Sequence, residues 1–241
     1  EARRPIDNVG VQYGLAALNK GTITVKEFLD LNEKVGGYDR DGNVQAARAQ
    51  ADAGALEATY SGGFKNSFTG PGLANIPIIT QRANADATGD SHDTLQDLII
   101  RARLQRANGR SDNQIIWTLG STSAVNYIAA SIDLMNKWLD NMAADSAAAS
   151  TDKVVRNKPA GANDACWDKA GTRIDEAASQ DPAAKCNVVY PRFSTPRIVA
   201  GSPLVNDVLK CQLKPVAMAD YTVTFSGAEE TRLKRSEEHT S

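Results

Sequence analysis

The sequence has few of the side chains that most often hold metals or carry out catalysis. Its 241 residues include two histidines and three cysteines, and Cys166, Cys186 and Cys211 lack the CxxC spacing of a zinc site. No apolar run approaches the roughly 20 residues that a membrane-spanning helix needs. The net charge of −2 provides no basic field for nucleic acid or an anionic membrane. We therefore expect no nucleic-acid or membrane partner, and no metal or other cofactor.

The most regular pattern in the chain lies between Ile76 and Leu119. A short apolar segment, a polar acidic loop, an amphipathic segment and a second apolar segment follow one another there. This order predicts a strand, helix, strand unit of a parallel α/β sheet, in which ligands bind beyond the carboxyl ends of the strands. Asp93 is placed to cap the helix, and Gly109 suits the left-handed position at its end.

Three helices are predicted before this unit. Asp7 or Asn8 can cap a helix over 9–20, and Thr24 with Glu27 forms a capping-box pattern ahead of a second helix. An alanine-rich segment, 43–60, predicts the third. The glycine-rich segment 61–75 is predicted to be a long surface loop.

A further helix is predicted after the second strand, capped by Ser121 or Ser123 and covering the sheet. We expect Trp138 to lie in the core of the protein or at its rim, rather than in a cofactor site. The residues predicted to form its apolar stripe are Val125, Ile128, Ile132, Met135, Leu139 and Met142.

The composition changes after residue 149, and we expect a domain boundary there. The first part, 1–149, would hold the sheet, and the second, 150–234, would be rich in loops. Within it we predict a polar linker over 150–163, a short helix over 204–213, a strand over 220–225 and a helix that starts at Ser226.

The cysteines in this second part allow two interpretations. An intracellular protein could carry three free thiols, whereas a loop-rich exported segment favours a disulfide between Cys166 and Cys186. Such a bond would close a loop of about 20 residues and contribute on the order of 3 kcal/mol. We favour the disulfide, which leaves Cys211 without a partner.

Both ends of the chain are interpreted as cut. The sequence begins at Glu1 without an initiating Met, so any targeting segment would lie upstream. The last residues, 235–241, read as the in-frame translation of a sequencing adapter, and a natural solvated tail is the alternative. On the adapter interpretation, His239 takes no part in catalysis.

The segment from Asp39 to Asn43, DRDGN, is similar to the start of a calcium-binding loop. Closely spaced oxygen ligands and a glycine turn suit a hard cation, but the terminal bidentate Glu of an EF-hand is lacking. Asx turns use the same residue types, and we favour that interpretation.

Several long segments resemble a known family. These are RRPIDNVGVQYGLAALNKGTITVKEFLDLNEKVGGYDRDGN, IPIITQR with GDSHD, and PRIVAGSPLVNDVLKCQLKP with DYTVTF. They resemble the C-terminal half of a family of bacterial exported proteins, a domain of unknown function related to α/β-hydrolases. The resemblance implies a serine-type ester hydrolase whose nucleophile lies upstream of this chain. It also implies a further cysteine after residue 234 as the partner of Cys211.

An α/β-hydrolase requires a nucleophile at a sharp turn between a strand and a helix, followed in the chain by an acid and a histidine. Gly120–Ala124 joins a strand to a helix, but its centre is Thr122, so we interpret it as a helix start. His92 is the candidate base, with Asp90 or Asp86 as the acid, because a carboxylate can hold an imidazole that accepts a proton. A structural histidine bonded to Asp90 or Asp93 is the alternative.

The sequence therefore predicts an α/β fold, an incomplete α/β-hydrolase-like parallel sheet with flanking helices and a loop-rich C-terminal part. The predicted function is hydrolysis of a small-molecule carboxylic ester by the full-length protein, in the bacterial periplasm or outside the cell. The alternative is a non-catalytic exported binding or structural module on the same scaffold. The 241-residue chain alone is expected to be inactive.

Overall fold

The computed structural model describes residues 3–63, 73–120 and 126–238, without the side chains of 237 and 238. Short 3-10 turns lie at Leu73–Asn75, Asp86–Thr88 and Met218–Asp220. The helices and strands are, in chain order, α1 (Leu15–Asn19), α2 (Val25–Lys34), β1 (Gly37–Tyr38), β2 (Val44–Gln45), α3 (Ala53–Ser61), β3 (Ile78–Ala83), α4 (Leu95–Asn108), β4 (Gln114–Leu119), α5 (Tyr127–Ala144), α6 (Thr151–Arg156), β5 (Ala165–Trp167), β6 (Arg173–Asp175), α7 (Lys185–Val189), α8 (Pro196–Val199) and α9 (Gly227–Glu238).

The chain divides into two compact units. The first unit comprises Glu1–Asn66 and Thr195–Ser241, and the second comprises Ser67–Ser194. The boundary that we expected after residue 149 lies inside the second unit, because β5 and β6 extend the sheet that β3 and β4 begin. No helix in the described part of the chain is long and apolar enough to cross a membrane.

The second unit contains a four-stranded sheet in the order β3, β4, β5, β6. β3 pairs with β4 in parallel, and so does β4 with β5, which confirms the predicted strand, helix, strand unit as an α/β arrangement. The prediction of a wholly parallel sheet is wrong, because β6 runs antiparallel to β5. Asp168 causes this reversal, since its carboxylate accepts hydrogen bonds from the backbone N–H groups of Ala170 and Thr172 in a tight turn.

β4 is the central strand, and all six of its residues are buried. Ile115, Trp117 and Leu119 on one face pack into the core that contains Trp138 of α5. On the other face, the Gln114 side chain donates a hydrogen bond to the Asp97 carbonyl of α4. The sheet is therefore covered by helices on both faces, as expected for a parallel α/β unit.

The helix predicted after β4 is confirmed as α5, and Trp138 is fully buried as expected. Asn126 caps it, accepting a hydrogen bond from Ala129 N at 3.1 Å, while the predicted caps at 121 and 123 lie outside the described residues. Only part of the predicted apolar stripe faces the core. Met142 packs against the core, whereas Ile128, Ile132 and Leu139 are exposed. α5 has two apolar faces, and the one with the large indole of Trp138 is turned to the sheet.

The core of the first unit lies between α1, α2 and α9. It contains Leu18, Phe28, Leu29, Tyr221 and Leu233. The capping box of α2 is confirmed, since Thr24 and Glu27 exchange both hydrogen bonds.

The helix predicted after Ser226 is present as α9, with the same reciprocal bonding between Ser226 and Glu229. It extends to Glu238, into the segment interpreted as adapter-derived, and His239 lies outside the described residues.

Two predicted helices of the first unit are shorter than expected. The helix over 9–20 is reduced to α1, because Gly10 and Gly14 take left-handed φ values of 73° and 83°. The helix over 43–60 is reduced to α3, because Val44 and Gln45 pair with β1 in a hairpin.

The turn of that hairpin is the candidate calcium loop. One oxygen of the Asp39 carboxylate accepts hydrogen bonds from Asp41 N and Asn43 N, and the other accepts one from the Asn43 side chain. These bonds occupy both carboxylate oxygens, as in an Asx turn.

Three predictions for 150–234 are wrong. The linker over 150–163 contains α6, which Ser150 caps by accepting a hydrogen bond from Lys153 N. The segment 204–213 is not helical, and Asn206 has a φ of 44° there. The segment 220–225 forms no strand, because Thr222 instead bonds to Asn19 through its backbone N–H and its hydroxyl.

A disulfide joins Cys166 in β5 to Cys186 in α7, as predicted, and Cys211 is free in the first unit.

We expect the free energy of unfolding of the Cys166→Ala, Cys186→Ala variant to be about 3 kcal/mol lower than that of the unaltered chain, because the bond closes a long loop of the unfolded chain. Urea denaturation measures this difference. Cys211→Ala is the control and should change it much less. A loss as small as that of the control would show that the bond does not constrain the unfolded chain.

Candidate functional site

The loop 84–94 contains the three predicted site residues and leaves the sheet at the carboxyl end of β3. Ala83 of β3 pairs with Leu119 of β4, so this loop and the residues that follow β4 begin at the same edge of the sheet. This is the edge at which parallel α/β sheets bind their ligands.

Asp90 and His92 form a pair within this loop. One Asp90 carboxylate oxygen lies 2.8 Å from His92 Nδ1 and accepts a hydrogen bond from His92 N, also at 2.8 Å. These two hydrogen bonds hold the pKa of the Asp90 carboxyl below its ordinary value. The bond from the His92 backbone has the larger effect, and the bond from the His92 ring the smaller. The His92 side chain is 81% exposed, so the ring edge that bears Nε2 is open to an incoming molecule.

Asp86 is placed differently and does not bond to His92. It is buried, and its carboxylate accepts hydrogen bonds from Thr94 N and Thr94 Oγ1, both at 2.9 Å. Asn84 and Phe193 N donate two longer ones. Asp86 thus holds Thr94, the residue before α4, in place. The sequence pattern had instead predicted that Asp93 caps this helix. Asp93 instead accepts a hydrogen bond from the Gln96 side chain.

Beneath the loop lies a layer of charged side chains. The Arg82 guanidinium donates hydrogen bonds to the Asp97 carboxylate at 3.3 Å and to the His92 carbonyl at 3.4 Å. Burial raises the pKa of the Asp97 carboxyl, and the positive charge of Arg82 acts in the opposite direction. Arg82 therefore links the backbone of His92 to a buried acid of α4.

Arg192 also supports the loop, although no pattern in the sequence indicates this role. Its guanidinium donates hydrogen bonds to the Thr94 carbonyl at 2.8 Å and to the hydroxyl of Thr118 in β4 at 2.7 Å. Burial lowers its pKa, while the carboxylates of Asp97 and Asp86 raise it. Arg192 lies far from the loop in sequence, in a segment without periodic pattern, so only the fold brings it there.

The end of β4 is closely packed at Gly120. A Cβ atom at this position would lie 2.8 Å from the Tyr190 hydroxyl, which donates a hydrogen bond to the Trp167 carbonyl. Thr122, in the segment interpreted from the sequence as a helix start, lies outside the described residues. Within the described ranges, no group of three or more His, Cys, Asp or Glu side chains could hold a metal ion.

Comparison with protein families gives one finding. The model of a family described as "Tannase-like family of unknown function (DUF6351)" matches residues 1–236. Comparisons with curated proteins and with solved structures gave no match. Since the match covers nearly the whole sequence, this chain belongs to the tannase-like family of unknown function.

Proposed function

We propose that the chain supplies the histidine and its carboxylate partner to a carboxylic-ester hydrolase. The observation that supports this most directly is the 2.8 Å contact between Asp90 and Nδ1 of an exposed His92. Family membership agrees with the reaction class, because tannase is an esterase. We further propose that the full-length protein is an exported bacterial enzyme, in keeping with the disulfide in the second unit.

In the proposed mechanism, His92 Nε2 takes the proton of a serine hydroxyl that lies upstream of this chain. The serine oxygen attacks the ester carbonyl, the alcohol leaves with the proton from His92, and water then releases the acyl group. Asp90 accepts a hydrogen bond from the Nδ1–H group of His92 and, as a carboxylate, stabilises the imidazolium ion. We assign this role to Asp90 rather than Asp86, because the oxygens of Asp86 are already bonded to Thr94.

We expect His92→Ala to lower kcat/KM of the full-length protein for p-nitrophenyl acetate by about 10²-fold or more, since it removes the general base. The melting temperature should hardly change, because the His92 side chain is exposed. Asp93→Asn is a matched control in the same loop and should retain activity. The measurements are initial rates and thermal unfolding of the three proteins.

Unchanged turnover in His92→Ala would rule out the assigned base. A coding sequence upstream of Glu1 without a G-x-S-x-G motif between a strand and a helix would rule out the serine mechanism. The 241-residue chain is expected to show no turnover, and sustained hydrolysis by it would place the nucleophile within this sequence.

A non-catalytic binding or structural module is the second candidate function. One observation favours it, because the same Asp90 oxygen also accepts the hydrogen bond from His92 N, as in an ordinary Asx turn. On this alternative, His92→Ala would lower the stability of the loop and the full-length protein would hydrolyse no ester.

A further inference from the structure

The second apolar face of α5 is open to solvent. Ile128, Ile132 and Leu139 are 59%, 54% and 47% exposed, and Met135 lies between the last two and is partly exposed. We call these four residues the exposed stripe. Contiguous apolar side chains on a protein surface mark a contact with another protein or with a membrane, because leaving them in water costs free energy.

A membrane surface does not suit the polar side of this helix. Amphipathic helices that lie on membranes carry several Lys or Arg side chains on their polar face, which are attracted to anionic lipids. The charged residues of α5 are two acids and one base, Asp133, Asp140 and Lys137. The charge pattern therefore favours a protein partner over a lipid surface.

The spacing of the exposed stripe indicates that its partner is a helix. Successive residues of the stripe are four, three and four positions apart in the sequence. Apolar residues that alternate in steps of three and four form the narrow seam through which one helix packs along another.

The same spacing results when the stripe is read from its carboxyl end. Two antiparallel copies of α5 can therefore match residue by residue, with Ile128 against Leu139 of the second copy and Ile132 against Met135 of the second copy. Twofold symmetry then makes every such contact twice, as in the isologous interface of a homodimer. A second copy of this chain is thus a partner for which the spacing is already complementary.

The charges of α5 do not obstruct such a pairing. All three charged residues of the helix lie more than about 100° around its axis from the centre of the stripe, at 3.6 residues per turn. The residues beside the stripe are Ala129 and Asn136 on one side and the buried Ser131 and Trp138 on the other. Two copies can therefore approach without placing like charges opposite each other.

We propose that the exposed stripe is a dimerisation surface, against which α5 of a second copy of this chain packs in the antiparallel direction. α5 is 18 residues long and so spans about 27 Å. One such helix from each copy buries on the order of 1,000 Å² in total, which is at the small end of specific protein interfaces. We therefore expect a weak, reversible dimer with a Kd on the order of 0.1 mM. This dimer does not depend on the proposed hydrolysis.

Sedimentation equilibrium of the 241-residue chain over a range from about 10 µM to about 1 mM tests the proposal. With a Kd on the order of 0.1 mM, most of the chain is monomeric at the lowest concentration and most is dimeric at the highest. The weight-average mass should rise accordingly. A chain that stays monomeric at the highest concentration would overturn the proposal, and the exposed stripe would then contact a different protein.

Two variants test whether the exposed stripe forms the interface. Ile132→Glu places a charge near the centre of the seam, where it would lose its contact with water, so the Kd should rise by about tenfold or more. Lys137→Gln is the matched control, because it changes the net charge by the same amount away from the stripe, and the Kd should not change. Both side chains are exposed, so the melting temperatures should be retained. Dimerisation that persists undiminished in a folded Ile132→Glu protein would overturn the proposal.

Disulfide cross-linking tests the antiparallel direction. Ile128→Cys and Leu139→Cys are made separately in a Cys211→Ala background, which removes the free thiol of the first unit. In an antiparallel pair these two positions face each other, so oxidation of the mixed variants should give a covalent dimer, and oxidation of either variant alone should give much less. Cross-linking of each variant alone that is as fast as in the mixture would overturn the antiparallel arrangement.

Discussion

Replacing Asp164 with Asn is expected to lower the free energy of unfolding by about 3 to 5 kcal/mol, because it leaves a partly buried arginine without its counter-charge. The Asp164 carboxylate accepts hydrogen bonds from the Arg101 guanidinium at 2.5 and 2.9 Å. It also accepts hydrogen bonds from Ile116 N of β4 and from Ala178 N, each at 2.9 Å. One side chain thus joins α4, the central strand and the segment after β6. Urea denaturation at neutral pH measures the loss.

The pH dependence of this effect has a definite sign. Burial raises the pKa of the Asp164 carboxyl, but the hydrogen bonds and charge of Arg101 outweigh it, so the pKa lies below its ordinary value. The ionised form therefore stabilises the fold above about pH 4, and this contribution is lost as the pH falls further. The difference in stability between the unaltered chain and Asp164→Asn should shrink over that range.

Two controls test the assignment to a buried ion pair. Asp175→Asn removes a carboxylate from the exposed pair with Arg173 and should cost less than about 1 kcal/mol. The double variant Arg101→Met, Asp164→Asn should be more stable than Asp164→Asn, because no charge is left unpaired and the Asn oxygen can still accept a backbone hydrogen bond. Equal losses in Asp164→Asn and Asp175→Asn would contradict the central role of Asp164.

The Trp138→Ala variant should lose about 3 to 5 kcal/mol, through the lost burial of the indole and the cavity that remains. Trp138 is fully buried in the core that includes Ile115 and Trp117, and its indole N–H donates a hydrogen bond to the Val154 carbonyl at 2.8 Å. The truncation leaves that carbonyl without this donor as well. Thermal and urea unfolding of the variant measure the loss.

Leu139→Ala provides the control on the same helix. Leu139 is the next residue along α5 and is 47% exposed, so its truncation removes much less buried surface. We expect a loss below about 1 kcal/mol. A larger loss of stability for Leu139→Ala than for Trp138→Ala would contradict this packing. It would show that the face of α5 with Leu139, and not the face with Trp138, contacts the sheet.

The sequence predicted the β3, α4, β4 unit well because each of its signals is local. Two short apolar segments, the helical repeat between them and Gly109 all lie between Ile76 and Leu119. In the structure, Gly109 has the expected left-handed φ of 74°. The capping boxes of α2 and α9 were predictable for the same reason, since both partners lie three residues apart.

The remainder of the sheet depends on contacts that leave no local pattern. β5 and β6 have three residues each, too few for an alternation to be recognised. The position of β5 follows from its pairing with β4 and from the disulfide, and that of β6 follows from its pairing with β5. The sequence of α5 likewise did not show which of its two apolar faces is buried. The packing of Trp138 in the structure shows it.

The candidate site was also predictable only in part from the sequence. Asp90 and His92 lie two residues apart, so one turn of the loop brings them into contact. The choice between Asp90 and Asp86 could not be made from the sequence, because both acids lie in the loop. Arg192 could not be found at all, since its partners Thr94 and Thr118 are distant in sequence.

The pairing of the strands in the second unit also bears on how the chain folds. Ile78 pairs with Gln114, and Trp117 pairs with Ala165, so each parallel pairing closes a long stretch of chain. Chain entropy must be lost before such contacts form, which slows folding relative to local hairpins and helices. The Cys166–Cys186 disulfide and the antiparallel pairing of β5 with β6 are local by comparison, because both lie within one short stretch of the chain. We therefore expect this stretch to take shape first and the parallel pairing of β5 with β4 to form later.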